Sequence, residues 1–112
     1  MTDCVFCKII AGEIPCDKVY EDEEILAFRD INPAAPVHIL FIPKKHFSHL
    51  GEASAEDQAL LGRMLLVIGR EAPKLGLPDS YRIVSNFGEA AGQTVKHFHL
   101  HLLGGRYMQA LG

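Results

Sequence analysis

The chain has 112 residues, 48% of them hydrophobic and 22% charged. That length suits one domain with one core, and the composition excludes disorder, collagen-like repeats and low-complexity scaffolds. Eleven basic against fourteen acidic side chains leave a net charge of −3; with no run of like charge to track a phosphate backbone, nucleic acid is not an expected partner.

The longest apolar stretches, residues 39–42 and 64–68, fall far short of the roughly 20 residues of a membrane span. Asp3 stands where a secretory signal needs basic charge, with no apolar core after it, so a cytoplasmic location is expected. Neither a repeat nor a Pro/Ser/Gly-rich linker divides residues 1–112, which are expected to form a single domain. Residues 4–11 suit a short helical turn. After Pro15, runs 18–20 and 25–29 flank Glu21-Asp22-Glu23-Glu24 and predict a hairpin. Pro33 and Pro36 break the chain. Val37-His38-Ile39-Leu40-Phe41-Ile42, apolar on both faces until Pro43, predicts a strand in the middle of a sheet.

Ser54, with Asp57 three residues on, predicts a capping box that opens the one long helix. Leu60, Leu61, Met64, Leu65, Ile68, Ala72 and Leu75 recur at spacings of three and four, a stripe expected to pack on the sheet, and Gly76 and Pro78 end it. Residues 81–85 predict a strand, 88–92 a small-residue loop, and 95–103 a last strand closed by Gly104-Gly105. Strands grouped around one long helix, without regular alternation, predict an α+β fold with an antiparallel sheet.

Six histidines stand at 38, 46, 49, 97, 99 and 101. His49 reads as an ordinary hydrogen-bonded residue near the surface. The other pattern is different: on a strand, His97, His99 and His101 point to one face about 6–7 Å apart, while Phe98, Leu100 and Leu102 point to the other. Three polar rings in a strand require a chemical reason. One is a shared divalent ion that activates water. The other is nucleophilic catalysis, in which a neutral imidazole attacks phosphorus and a neighbour handles a proton. The small residues of Gly88-Glu89-Ala90-Ala91-Gly92-Gln93-Thr94 let backbone donors approach a phosphate. Cys4 and Cys7, in a chain with three cysteines, suit metal ligands or a redox pair better than a disulfide framework. A structural zinc needs four ligands, and there is no second CxxC, so histidines would have to complete the set.

The sequence resembles the histidine-triad (HIT) family, in particular its Hint-like purine nucleoside phosphoramidases. The resemblance runs through Leu26-Ala27-Phe28-Arg29-Asp30-Ile31, Pro33-x-x-Pro36-x-His38, Ile42-Pro43-Lys44-Lys45-His46, Gly92-Gln93-Thr94-Val95, His97-x-His99-x-His101 with two apolar residues after it, and Leu103-Gly104-Gly105-Arg106. It implies an antiparallel sheet with one long and one short helix, extended across a homodimer. It also implies that His99 is the nucleophile at the α-phosphorus of a purine nucleotide, that His101 contacts the phosphate, that His38 supports the triad, and that Thr94 serves a phosphate or leaving-group oxygen. Asp30 would accept from the ribose hydroxyls, Phe6, Ile9 and Ile31 would line the purine pocket, and Asn86, Gly92, Gln93, Thr94 and Val95 would surround the phosphate. Relatives that hold zinc imply a closed structural site on Cys4, Cys7, His46 and His97, which leaves Cys16 as a small apolar filler. The tail after Arg106 is shorter than in many Hint relatives, and Lys96 replaces a common aromatic but points away from the histidine face.

The reading favoured by these residues is a dimeric hydrolase of adenosine 5′-monophosphoramidate-type substrates that works through a nucleotidyl-histidine intermediate. The alternative is a zinc-containing purine-nucleotide-binding module with little turnover. A three-histidine metallohydrolase is disfavoured for want of a carboxylate beside the row.

Overall fold

A computed structural model describes residues 4–111; Asp3, on which the N-terminal reading turns, and Gly112 lie outside the described residues. The elements run α1 (Val5–Ile10), β1 (Lys18–Glu21), β2 (Ile25–Arg29), β3 (Val37–Pro43), α2 (Gln58–Glu71), β4 (Arg82–Val84) and β5 (Leu100–Gly104), with short 3-10 turns between them. All strand pairs are antiparallel and the order is β1-β2-β3-β5-β4. The fold is therefore the expected α+β sheet with one long and one short helix, and β3 lies in its middle.

Strand parity divides the sheet into two faces. Ile25 and Ala27 of β2, Ile39 and Phe41 of β3, and Leu100 and Leu102 of β5 pack under α2 with Met64, Val67 and Ile68. The intervening residues, Leu26 and Phe28 of β2 and Leu40 and Ile42 of β3, form a second cluster with Phe6 of α1. His38 and His101 share that second face, diagonal to one another because His38 pairs with Leu103 and Leu40 with His101. The side chains of α1 and the histidines thus meet over one side of β3 while α2 seals the other.

The capping box is present: Asp57 accepts from the Ser54 amide at 2.9 Å and the Ser54 side chain accepts in return. It closes a 3-10 turn, Ala55–Asp57, from which α2 continues. The buried stripe is rotated relative to the predicted one. Leu65 is 51% exposed, whereas Val67 is 1% exposed and Glu71 is also buried. The spacing of three from Met64 to Val67 and four from Val67 to Glu71 follows one line on a helix, and Leu65 falls beside it. Gly76 ends the helical run with φ +91, its amide bonded to Pro73, and the Leu77 amide returns to Ala72 at 2.9 Å. A residue with a side chain would be strained there.

The predicted strand over 95–103 begins only at Leu100. Its partner β3 pairs with β5 no further than Phe41↔Leu100, since Ile42 and Pro43 pair with β2 alone. With no ladder to join, residues before Leu100 bond elsewhere, as when the Phe98 amide donates to the Phe47 carbonyl at 2.6 Å. His97 and His99 therefore stand on an irregular extended segment, and only His101 of the three is on a strand. Alternation survives, since Phe98 joins the α2-side core and His97 and His99 meet Phe6. Among the described residues, no helix is long and apolar enough to cross a membrane.

Met64 is fully buried between α2 and the sheet. Met64→Ala is expected to lower unfolding free energy by about 2–5 kcal/mol through lost burial and a residual cavity. Urea denaturation followed by circular dichroism measures it.

Candidate functional site

Two clusters of side chains lie side by side, joined by Phe6. In the first, Cys4 caps α1 and accepts from the Cys7 amide at 3.3 Å. The Cys4 sulfur is 3.3 Å from His97 Nδ1, the Cys7 sulfur is 3.3 Å from His46 Nδ1 and 3.6 Å from His97 Nδ1, and the two Nδ1 atoms are 3.0 Å apart. All four donor atoms lie within 4.8 Å of one another. Nδ1 of His97 is free to ligate because its Nε2–H donates to the Pro43 carbonyl at 2.8 Å; a carbonyl can only accept, so the tautomer is fixed. Burial pushes the His97 imidazole below its ordinary range, and burial beside Cys4 raises the Cys7 thiol. Tetrahedral coordination by two thiolates and two imidazoles has edges of roughly 3.3–3.8 Å from bond lengths near 2.3 and 2.0–2.1 Å. Donor types and spacing therefore fit such an ion, and with four protein ligands the set is closed.

In the second cluster, the Ala34 amide donates to His38 Nδ1 at 2.9 Å. An amide can only donate, so Nδ1 is bare and His38 carries its proton on Nε2. That Nε2–H faces His101 Nδ1 at 2.8 Å and the Asp30 carboxylate at 3.4 Å. His101 Nδ1 accepts, which leaves its Nε2–H outward as a donor. His99 is set the opposite way: its Nδ1–H donates to the His97 carbonyl at 2.7 Å, so Nε2 presents a lone pair. Phe6 meets the His99 ring edge-on, with centroids 5.2 Å apart at 85°, and the His99 and His101 rings are 4.9 Å apart.

Burial, reinforced by His99 and His38 and opposed by Asp30, pushes the His101 pKa down to about 4. His99 and His38 are also lowered, chiefly by burial. Neutral rings of defined tautomer can act as nucleophile and hydrogen-bond donor without prior loss of a proton.

Asp30, His38 and His101 also place three ligand atoms within 4.8 Å. The Ala34 amide argues against a metal there, because an ion on His38 Nε2 would force a proton onto Nδ1, against that N–H. The expectation that the histidine row lacks a carboxylate is corrected by Asp30. The three-histidine metal reading fails on ring orientation instead, since His97 Nδ1 faces the cysteines while His99 Nδ1 faces a carbonyl.

The remaining predicted residues divide. Ile9 and Val95 pack on the cluster of Phe6, Leu26 and Phe28, and Asp30 is drawn to His38. Ile31 is 90% exposed. Gln93 is used structurally: its side chain accepts from Gly88 and donates to the Ser48 carbonyl, at 3.0 and 2.9 Å. Gly92 adopts φ +96, with the Asn86 amide nitrogen beside it. Thr94 is exposed on the same loop. His49 is the ordinary residue expected, accepting from the Gly51 amide and stacked on Phe87 at 3.7 Å. Cys16 packs on the Phe6 cluster as a filler. Sequence reasoning missed the main-chain groups of Ala34, Pro43 and His97, which fix the ring nitrogens; a backbone group leaves no residue-type signal.

Residues 3–111 match the family described as scavenger mRNA decapping enzyme C-term binding. An uncharacterized HIT-like protein of Synechococcus elongatus is 59% identical over 93% of this chain and 91% of its own length. Protein HitA of Neisseria gonorrhoeae is 50% identical over 93% and 97%. Among solved structures, a HIT family hydrolase from Legionella pneumophila superposes with a TM-score of 0.92 at 49% identity, covering 96% of each chain. One from Clostridium thermocellum gives 0.94 at 46% identity, covering 99% of this chain and 97% of that one. Matched by the family over residues 3–111 and by HIT-like relatives at 50–59% identity over 93% of its length, the chain belongs to the histidine-triad family.

Proposed function

We propose that the protein is a nucleotide hydrolase that cleaves the P–N bond of adenosine 5′-monophosphoramidate-type substrates through a nucleotidyl intermediate on His99. The observation that carries this reading is the 2.7 Å bond from His99 Nδ1–H to the His97 carbonyl. It aims an Nε2 lone pair away from the backbone, and the carbonyl accepts more strongly as the ring gains positive charge. His99 Nε2 attacks the α-phosphorus, a bond to imidazole forms, and the P–N bond to the leaving amine breaks as that nitrogen takes a proton drawn from water. Water then attacks the phosphorus, the bond to His99 breaks, and AMP departs with the hydroxyl while the remaining proton returns to solvent. His101 donates its Nε2–H to a phosphate oxygen, held in register by His38. Thr94, Asn86 and the Gly92–Val95 backbone complete the phosphate surroundings, Asp30 accepts from the ribose, and Phe6, Ile9 and Ile31 hold the purine. Solved relatives support this direction: those from Legionella pneumophila and Clostridium thermocellum are HIT family hydrolases, and a Candida albicans protein, 32% identical with a TM-score of 0.80, is a histidine triad nucleotide-binding protein.

We assign zinc to Cys4, Cys7, His46 and His97 as a structural ion. Bound there, it supplies charge to neutralise two thiolates and ties α1 to the segment that carries His99. A homodimer with a continuous sheet is supported by the outer edge of β4, unpaired among the described residues and preceded by the exposed Tyr81. Such an edge is ordinarily covered.

His99→Ala is expected to lower turnover of AMP-morpholidate by roughly 10³-fold or more while AMP binding persists, because the covalent step is lost and the pocket stays. Steady-state rates beside calorimetric AMP binding check it, and wild-type turnover in the variant would reject the mechanism. AMP binding without turnover in the wild type would leave a binding module.

For the metal, protein purified without added zinc is expected to contain one zinc per chain, and Cys4→Ser/Cys7→Ser none. At free zinc 1,000-fold above its Kd the ion stabilises the fold by about 4 kcal/mol, read as a melting temperature that drops on chelation.

His101 supplies a pH dependence. An unfolded imidazole protonates near 6.5, the folded one only near 4. Above about 6.5 neither state binds this proton; from about 6.5 down to 4 only the unfolded chain does, so stability falls as pH falls through that window. Melting temperatures from pH 7 to 4 are expected to drop less steeply in His101→Gln. The metal site is common to both proteins, so the difference between the curves isolates this group, and parallel curves would refute the assignment.

A further inference from the structure

We infer that Cys4 and Cys7 are an oxidation site whose redox state sets how tightly the pocket beside His99 holds a nucleotide. The inference rests on the zinc and nucleotide readings above. Its basis is the placement of Phe6, between the two cysteines in sequence. Its ring edge meets His97 at 5.9 Å and 66° and His99 at 5.2 Å and 85°, and it packs on Phe28 at 5.6 Å. The helix α1 has six residues, too few to persist on its own backbone bonds. It joins no strand ladder. What fastens it is the pair of sulfurs against His46 and His97, together with the packing of Phe6, Ile9 and Ile10. One end of that attachment is therefore chemical and alterable.

Both cysteines are only half-buried, within reach of a small peroxide. They lie one helical turn apart, a separation compatible with a disulfide. The balanced chemistry uses hydrogen peroxide as oxidant. One thiolate attacks a peroxide oxygen, the O–O bond breaks, and a sulfenic acid and hydroxide result. The second thiolate then attacks that sulfur and expels a second hydroxide. Two sulfurs lose two electrons, the peroxide gains them, and with two protons it becomes two waters. A disulfide carries no thiolate charge, so the ion is left with two imidazoles and departs. His97 then loses its partners on Nδ1, α1 loses its sulfur tether, and the Phe6 edge no longer fixes the His99 ring. The coupling is reciprocal: bound nucleotide holds Phe6 in place and slows oxidation.

The test uses the full chain, zinc-loaded and reduced, with Cys16→Ala removing the third thiol. Hydrogen peroxide is added and four quantities are read: zinc released to a chromogenic chelator, intact mass, AMP affinity by calorimetry, and amide hydrogen exchange. The expected result is one zinc released per chain, a mass lower by two hydrogens, AMP affinity weaker by roughly tenfold, and faster exchange over residues 4–10 and 97–101. Dithiothreitol with zinc restores all four. Phe6→Leu is expected to release zinc equally but to change its AMP affinity less than about twofold on oxidation, because the aromatic edge that relays the change is gone. Retained zinc with intact thiols, or a formed disulfide with unchanged AMP affinity, would overturn the inference. Failure of the reduced protein to bind AMP would overturn the nucleotide reading instead; the exchange data then decide alone, and unchanged exchange over 97–101 would overturn the oxidation site too.

Discussion

Three main-chain groups determine what the histidines can do. The Pro43 carbonyl accepts from His97 Nε2–H, the His97 carbonyl accepts from His99 Nδ1–H, and the Ala34 amide donates to His38 Nδ1. Each partner can only accept or only donate, so each ring is left with one possible tautomer. A row of imidazoles free to exchange tautomers would mix ligands, nucleophiles and donors; here each nitrogen is committed by a neighbour that cannot titrate. The lowered proton affinity that burial produces adds to this by keeping the rings neutral near physiological pH.

One of those groups, the Pro43 carbonyl, belongs to the sheet, and the other two lie on segments that lead into its strands. β3 supplies Pro43 at one end and His38 at the other, and its inner residues are buried on both faces. It pairs with β2 from Ile39 to Pro43 and with β5 from Val37 only as far as Phe41, opposite Leu100. The unpaired stretch before Leu100 is where His97 and His99 use their freedom from the ladder to present side chain and carbonyl together. A regular strand across 97–101 would engage those carbonyls in sheet bonds and leave the His99 ring without a partner.

Much of this was legible in the residues. The central strand, the hairpin before it, the capped helix and its glycine stop follow from local chemistry that tertiary contacts did not override. Parity assigned Phe98, Leu100 and Leu102 to one face and the histidines to the other even though the strand begins late. Three features were not legible. The late start of β5 depends on where a partner strand leaves, which no local pattern records. The helix stripe was read one residue off at Leu65 because a run of Leu, Leu and Val offers several apolar lines at once, and the choice of Val67 is made by the sheet beneath. The proximity of Asp30 to His38 joins residues eight apart across a turn containing two prolines. The four-residue grouping of Cys4, Cys7, His46 and His97 came from family likeness, and the fold brings their donor atoms together; spacing alone pointed only to Cys4 and Cys7.

The amide of Ala34 has one more consequence. A second proton on His38 would have to sit at Nδ1, facing an N–H that already points there, so this ring is barred from becoming imidazolium while the loop holds. A proton arriving at the His38 and His101 pair meets the same bar on the second ring, since the outer nitrogen of His101 already carries its hydrogen and the inner one faces the His38 N–H. The pair is thereby held neutral with its hydrogen bonds all pointing one way, from the buried loop outward, an orientation set by one peptide group between two prolines.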